Sequence, residues 1–146
     1  MSMTQLLFSF HGRLNRKPYW TIVIATAVVF ILLLLLALAM IREYGLEFLL
    51  VSIAILVILY VPLIWIGLAL GAKRLHDRDK SAWWLLVFYA LPTILSTAAD
   101  RMEDVQFIIL HLLSFAITVW AFVELGCLRG TVGPNRYGPD PLSAPA

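Results

Sequence analysis

Four runs of apolar residues, separated by short polar segments, dominate the pattern along this chain. They cover about residues 19–41, 48–70, 83–99 and 105–128. An α-helix needs about 20 apolar residues, each rising 1.5 Å, to cross a hydrocarbon core about 30 Å thick. Three runs reach that length. The third is shorter and contains Pro92, but charged residues flank it and two tryptophans open it. The pattern therefore predicts four membrane-spanning helices.

The polar segments that join the first run to the second, and the third to the fourth, are short. Short connections place consecutive helices side by side and antiparallel. We therefore expect an all-α, four-helix transmembrane bundle made of two antiparallel hairpins. Residues 1–141 would form a single integral membrane domain, and residues 142–146 a disordered tail.

Basic residues are distributed unequally around the four runs. Nine lie before the first run, between the second and third, or after the fourth: Arg13, Arg16, Lys17, Lys73, Arg74, Arg78, Lys80, Arg129 and Arg136. The other side has only Arg42 and Arg101, together with five acidic residues. Because basic residues concentrate on the cytoplasmic side of membrane helices, both termini and the central polar segment are predicted to be cytoplasmic.

The composition supports a membrane protein and excludes several other classes. Of 146 residues, 62% are hydrophobic and 14% charged, whereas soluble domains are about half apolar and a quarter charged. The formal net charge of +2 gives no reason to expect nucleic acid as a partner. The single cysteine, Cys127, excludes an intramolecular disulfide.

Three motifs flank the apolar runs. They are Phe8-x-Phe10-x-Gly12-Arg13-x-x-Arg16-x-x-Tyr19-Trp20, Arg74-Leu75-His76-Asp77-x-Asp79-x-Ser81-x-Trp83-Trp84, and Gly133-Pro134-Asn135-Arg136-Tyr137-Gly138-Pro139-Asp140-Pro141. In this order around four runs, they resemble the small bacterial inner-membrane proteins of domain-of-unknown-function family 805. Ala82 departs from that pattern, which has glycine before the tryptophan pair. The resemblance implies a four-span protein of the bacterial inner membrane and carries no established chemistry.

All three motifs lie on the predicted cytoplasmic side and bring charged residues to one membrane surface. The candidate site consists of Arg13, Arg16, Arg74, Asp77, Asp79, Arg129 and Arg136. One interpretation is structural: these charges set the orientation and form ion pairs that hold the loop and tail to the bundle. The other is a binding site for anionic lipid headgroups, since the planar guanidinium of arginine suits bidentate phosphate contacts. Both interpretations remain open at this point.

The fourth run contains two ionisable residues, Glu124 and His111. A carboxylate within a membrane helix is a candidate functional group. Glu124 nevertheless lies only about one turn from the cytoplasmic end, where it could pair with one of three arginines: Arg13, Arg74 or Arg129. His111, near the outer end, is interpreted as a packing or interfacial residue.

Gly67 and Gly71 form a small-x-x-x-small face on the second predicted helix. Such faces allow two helices to approach closely. We expect these two glycines to pack against another helix, either within the bundle or in a second copy.

No catalytic, nucleotide-binding or zinc-binding spacing occurs in the chain. We therefore expect no metal and no cofactor. The sequence favours a non-enzymatic inner-membrane protein whose arginine-rich cytoplasmic face binds anionic lipid headgroups or a partner protein. The alternative is a small transporter or channel subunit that uses Glu124. A third hypothesis is lipid-phosphate chemistry at Asp77 and Asp79. The expected partners are membrane lipids, with a second copy or another membrane protein as further candidates.

Overall fold

The computed structural model describes residues 2–143, and within that range it contains helices and no strands. The five α-helices are α1 (Met3–Phe8), α2 (Arg16–Tyr44), α3 (Leu49–Asp77), α4 (Leu91–Ala99) and α5 (Asp104–Phe122). A 3-10 turn at Leu46–Phe48 precedes α3. One π-helical turn, Leu86–Ala90, leads into α4, and a second, Val123–Cys127, continues α5. The prediction of an all-α protein is confirmed.

Three helical segments are long and apolar enough to cross a membrane: Arg16–Tyr44, Leu46–Asp77 and Asp104–Cys127. The third apolar run forms the shorter helix Leu86–Ala99. Residues 82 and 83 form a turn before it, in which Trp84 N donates to Ser81 O and Leu85 N to Ala82 O, and helical backbone begins at Trp84.

Two of the helices extend beyond the apolar runs that predicted them. α2 ends at Tyr44 because Gly45 adopts a φ of 77°, a left-handed conformation that glycine accepts without steric cost. α3 continues past Leu70 as far as Asp77. The basic residues at the end of α3 are therefore helical, and Arg74 and Asp77 form an i,i+3 pair on one helix face.

Consecutive long helices pack as antiparallel pairs. In the first pair, the rings of Phe30 in α2 and Tyr60 in α3 lie 5.6 Å apart. In the second, Ser114 Oγ in α5 donates to Pro92 O in α4 at 2.9 Å. The outward faces of all these helices are apolar and exposed, as at Leu36, which is 59% exposed. That arrangement suits a chain whose surrounding solvent is lipid.

The two pairs meet at one end only, which we call the basic end. It comprises the start of α2, the end of α3, the residues 78–90 that follow α3, the two terminal segments and the turn Val123–Cys127. Within residues 2–143, the helix backbones of the two pairs approach each other only there, where that turn contacts α2 and α3. Most of the buried apolar core also lies at this end: Leu14, Tyr19, Leu70, Leu75, Leu85, Phe88 and Leu125.

Both terminal segments pack onto the basic end. Trp65 Nε1 in α3 donates to Phe8 O at the end of α1 at 3.1 Å. In the C-terminal segment, Thr131 N donates to Asp77 O at 2.8 Å. Of the tail predicted to be disordered, Leu142 and Ser143 form a turn on Asp140, and residues 144–146 lie outside the described range.

Candidate functional site

A buried ion-pair triad lies at the centre of the basic end. Asp77 Oδ2 accepts from Arg74 Nη1 at 2.8 Å, and its Oδ1 accepts from Arg13 Nε at 3.2 Å. Arg13, Arg74 and Asp77 are respectively 5%, 0% and 3% exposed. One carboxylate thus compensates two buried guanidiniums. A buried charge is tolerated only when paired and hydrogen-bonded, so the remaining positive charge depends on neighbouring carbonyl dipoles.

Arg74 makes its other hydrogen bonds to three main-chain carbonyls in two segments. Its Nε donates to Leu125 O at 2.7 Å, its Nη2 to Leu128 O at 2.8 Å, and its Nη1 to Leu14 O at 3.0 Å. The last carbonyls of a helix have no partner within the helix. Arg74 supplies partners for the turn Val123–Cys127 and joins it to the segment before α2.

Arg13 binds the C-terminal segment in the same way. Its Nη2 donates to Thr131 O at 2.6 Å, and its Nη1 donates to Gly133 O at 2.7 Å and to Gly138 O at 3.3 Å. With the bond to Asp77, Arg13 joins the N-terminal segment to the end of α3 and to the C-terminal segment. The guanidinium donors of Arg13 and Arg74 are thus engaged by the protein itself.

Lys73 was not among the predicted site residues, yet it is 0% exposed. Its Nζ donates to the carbonyls of Gln5 and Leu6, near the end of α1. A cation at a helix C-terminus is favourable because the helix dipole is negative there. No pattern in the sequence singles out Lys73, because α1 is too short to produce a hydropathy signal.

Glu124 lies in the turn Val123–Cys127, and its side chain is 4% exposed. Its Oε1 accepts from Arg78 Nε at 2.5 Å and from Lys80 Nζ at 2.7 Å. Glu124 thus forms an ion pair, but with Arg78 and Lys80 and not with one of the three arginines considered from the sequence, Arg13, Arg74 or Arg129. Arg78 and Lys80 follow the end of α3, and that connection lies against the end of α5.

The C-terminal segment has a second set of contacts with the end of α3. The rings of His76 and Tyr137 stack with centroids 3.9 Å apart and planes 7° apart. Arg136 Nε lies 3.1 Å from Asp79 Oδ1 in an exposed ion pair. Asp140 accepts from the main-chain N–H groups of Leu142 and Gly133, and these bonds lower the pKa of its carboxyl. The segment is thus folded against the bundle.

Three cations of the basic end lie outside this network and are exposed: Arg16, Lys17 and Arg129. Arg16 makes one hydrogen bond, from Nη1 to Cys127 O at 2.9 Å. A cavity of about 460 Å³ lies beside it, and Lys17, Trp20 and Leu142 are among its lining residues. A small adjacent cavity is lined by Arg16 and Arg129 and also by the acidic residues Asp77 and Asp140. We call these cavities and their three cations the cationic groove.

The other predicted residues lie away from the triad. A Cβ added at Gly71 would come within 2.9 Å of Leu85 Cδ2, so Gly71 packs within the bundle, whereas Gly67 faces open space. His111 Nε2 lies 3.5 Å from Asp100 Oδ1 at the opposite end of the helices. In the described part of the chain, no three His, Cys, Asp or Glu side chains are placed to hold a metal ion.

The sequence of this chain is similar to a family of unknown function and to bacterial membrane proteins whose names state no activity. The family described as "Protein of unknown function (DUF805)" matches residues 7–139. The chain is 32% identical to the inner membrane protein YhaI of Escherichia coli K12, over 97% of this chain and 92% of YhaI. It is 30% identical to the inner membrane protein YhaH, over 93% and 89% of the two chains. It is also 31% identical to the uncharacterized protein YiiR, over 96% and 90%. No solved structure matches this chain.

Proposed function

The chain belongs to the DUF805 family of proteins of unknown function, and from that premise we propose that it is a four-span inner-membrane protein whose basic end faces the cytoplasm and binds anionic lipid headgroups without catalysis. Its relatives include two named inner membrane proteins. Those relatives and the three long apolar helices show that this chain is an integral membrane protein.

The proposed orientation and the fourth crossing rest on charge and packing. Nine of the eleven basic residues lie at the basic end, and such residues concentrate on the cytoplasmic side. The helix Leu86–Ala99 runs from the basic end, beside Trp120, to the opposite end, beside His111. It is about 21 Å long at 1.5 Å per residue. The interfacial side chains Trp83 and Trp84 extend its reach, and local thinning of the bilayer can accommodate a short span.

One observation carries the binding proposal: the cationic groove presents exposed cations beside Trp20 at the end of the helices. Arg13 and Arg74 are buried and donate to carbonyls and to Asp77. They therefore stabilise the fold beneath the groove and are not part of its binding surface. Arg16, by contrast, donates a single hydrogen bond within residues 2–143. Arginine guanidiniums bind phosphate oxygens in a bidentate manner, and tryptophan favours the headgroup zone.

The alternatives raised by the sequence gain no support from the geometry. Glu124 is buried and accepts bonds from two cations, which does not favour a proton-coupled or ion-coupled role. Asp77 is buried between two arginines, and Asp79 is paired with Arg136. Neither carboxylate is free for general acid or base chemistry on a lipid phosphate.

The test is native mass spectrometry of the protein extracted in mild detergent. We expect the wild type to retain anionic phospholipid such as phosphatidylglycerol. The triple variant Arg16→Gln/Lys17→Gln/Arg129→Gln should bind it about 100-fold more weakly, because each basic residue near an anionic surface contributes about 1 kcal/mol.

The matched control is Arg42→Gln/Arg101→Gln, which removes charge at the opposite end of the helices. It should leave lipid retention unchanged. Equal retention by the wild type and the triple variant would refute the binding proposal. Loss of a bound protein instead of a lipid from the triple variant would identify the groove as a protein interface.

A further inference from the structure

A second cavity lies between the two helix pairs, beside the cationic groove. Its volume is about 340 Å³. Helix α2, the segment through Leu86–Ala99 and helix α5 all contribute to its walls, which are mainly aromatic and aliphatic: Tyr19, Trp20, Phe88, Pro92, Ala121 and Phe122. The lining residues of α5 and of the turn that continues it extend from Thr118 to Leu125, about 10 Å along the helix axis. We call this cavity the apolar crevice.

The crevice and the cationic groove share a wall formed by Trp20 and Gly126. Trp20 is held there by a hydrogen bond from its Nε1 to Gly126 O at 3.0 Å and by an edge contact with Phe122 at 5.7 Å between centroids. Trp20 thus borders both a space with exposed cations and a mainly apolar space. A phospholipid has the matching arrangement, because its charged headgroup is followed by hydrocarbon chains.

The crevice lies where the two helix pairs separate. α2 contacts the second pair through the turn Val123–Cys127, and in the described residues its backbone makes no further approach to α4 or α5. Side chains just beyond the crevice are exposed, including Ile24 in α2 at 57% and Phe115 in α5 at 67%. An acyl chain could therefore enter laterally from the bilayer without passing through the protein.

We propose that the cationic groove and the apolar crevice together bind one anionic phospholipid, with the phosphate at Arg16, Lys17 and Arg129 and one acyl chain in the crevice. This rests on the proposed headgroup binding and adds that the ligand is a membrane lipid, recognised by its chain as well as its charge. Charge complementarity selects this occupant. Asp140 lies near Arg129, but the larger cavity beside Arg16 and Lys17 has no acidic lining residue in the described part of the chain. A phospholipid phosphate would supply a counter-charge there, whereas an apolar helix of a second copy or a partner would only fill the space between the pairs.

The inference is tested by filling the crevice without changing the groove. Thr118 lines the crevice at an exposed position, and its hydroxyl donates to Ser114 O in its own helix. Thr118→Trp should lower the affinity for phosphatidylglycerol at least tenfold. It should leave the affinity for glycerol 3-phosphate, which has the headgroup chemistry without acyl chains, unchanged. Thr93→Trp, on the facing wall, should act in the same way.

The matched control is Val119→Trp, at nearly the same depth on the same helix but on a face that does not line the crevice. It should leave both affinities unchanged. The triple variant Arg16→Gln/Lys17→Gln/Arg129→Gln should lower both.

The outcomes separate the two proposals. If Thr118→Trp and Thr93→Trp change neither affinity while the triple variant lowers both, headgroup binding stands and the acyl-chain site is refuted. If the triple variant also has no effect, both proposals are refuted. A lipid-free dimer of the wild type that dissociates in Thr118→Trp would show that a second copy occupies the crevice, and would overturn the inference.

Discussion

At the scale of single residues, the carboxylate of Asp77 lies between two guanidiniums that are almost completely removed from solvent. Arg13 and Arg74 each bond to several acceptors at once, which a lysine, with its donors on a single nitrogen, could not reproduce in this geometry. Their network joins the N-terminal segment, the end of α3 and the C-terminal segment. Removal of the single counter-charge should therefore weaken all three connections together.

We predict that Asp77→Asn lowers the free energy of unfolding by about 3–5 kcal/mol, the usual cost of leaving a buried charge without its partner. Asparagine preserves the shape of the side chain, so the effect would report the charge. Denaturant-induced unfolding in detergent micelles measures it.

Asp79→Asn is the matched control for that substitution. It neutralises the exposed pair with Arg136, in which the side chains are 46% and 59% exposed, and should cost about 0–1 kcal/mol. Equal losses from the two variants would mean that the triad contributes no more than a surface ion pair.

At the scale of secondary-structure elements, the helix ends of the basic end are completed by side chains from other elements. The successive carbonyls of Leu125, Gly126 and Cys127 accept from Arg74, Trp20 and Arg16 respectively. Unpaired carbonyls are costly where water is scarce. The π-helical turn Val123–Cys127 thus becomes the element through which the two helix pairs are joined.

The close approach at this turn depends on the absence of a side chain at Gly126. A Cβ there would lie 2.5 Å from Trp20 Cζ2, a rigid ring atom. We predict that Gly126→Ala displaces Trp20 and lowers the free energy of unfolding by about 1–3 kcal/mol, as overpacking does. Thermal unfolding followed by tryptophan fluorescence measures both effects.

Gly67→Ala is the control at a glycine in a long helix, because nothing lies within 4 Å of a Cβ added there. It should be neutral or stabilise the protein by up to about 1 kcal/mol, since alanine favours the helix over glycine. A larger loss from Gly67→Ala than from Gly126→Ala would contradict the packing described here.

At the scale of the whole molecule, the two antiparallel helix pairs contact each other at the basic end and diverge toward the opposite end. Most charged groups and both terminal segments also lie at that end. Water and lipid headgroups can therefore reach the edge of this polar network. The opposite end has only short connections and few contacts. Under the proposed orientation, in which the basic end lies at one membrane surface, the helix Leu86–Ala99 completes a crossing and brings both terminal segments to that surface.

We predict that Leu46→Cys and Met102→Cys, each in a Cys127→Ser background, are labelled by a membrane-impermeant maleimide added outside intact cells with a permeable outer membrane. Both residues are in the connections at the opposite end and are exposed. Cysteines introduced in place of Ser9 or Ser143 should be labelled only after the inner membrane is opened. Labelling of Ser143→Cys from outside would indicate three crossings.

Several features could be predicted from the sequence because they depend on local composition. Long apolar runs require a helical backbone in lipid whatever they pack against, and the all-α fold with three long helices confirms this. Spaced motifs around those runs were enough to indicate the family. The end of α3 was missed, because the residues after Leu70 are too polar for a hydropathy pattern although they remain helical as far as Asp77.

The sequence by itself therefore determined the class of protein, the long helices and the family, since each is a property of residues taken in order along the chain. Only the tertiary structure decided which arginines are buried, with Arg13 and Arg74 inside and Arg16 and Arg129 outside. It also decided that Glu124 pairs with Arg78 and Lys80. The physical reason is that a charge is buried or exposed according to which carbonyls and carboxylates other elements bring to it, and those elements lie far apart in the chain.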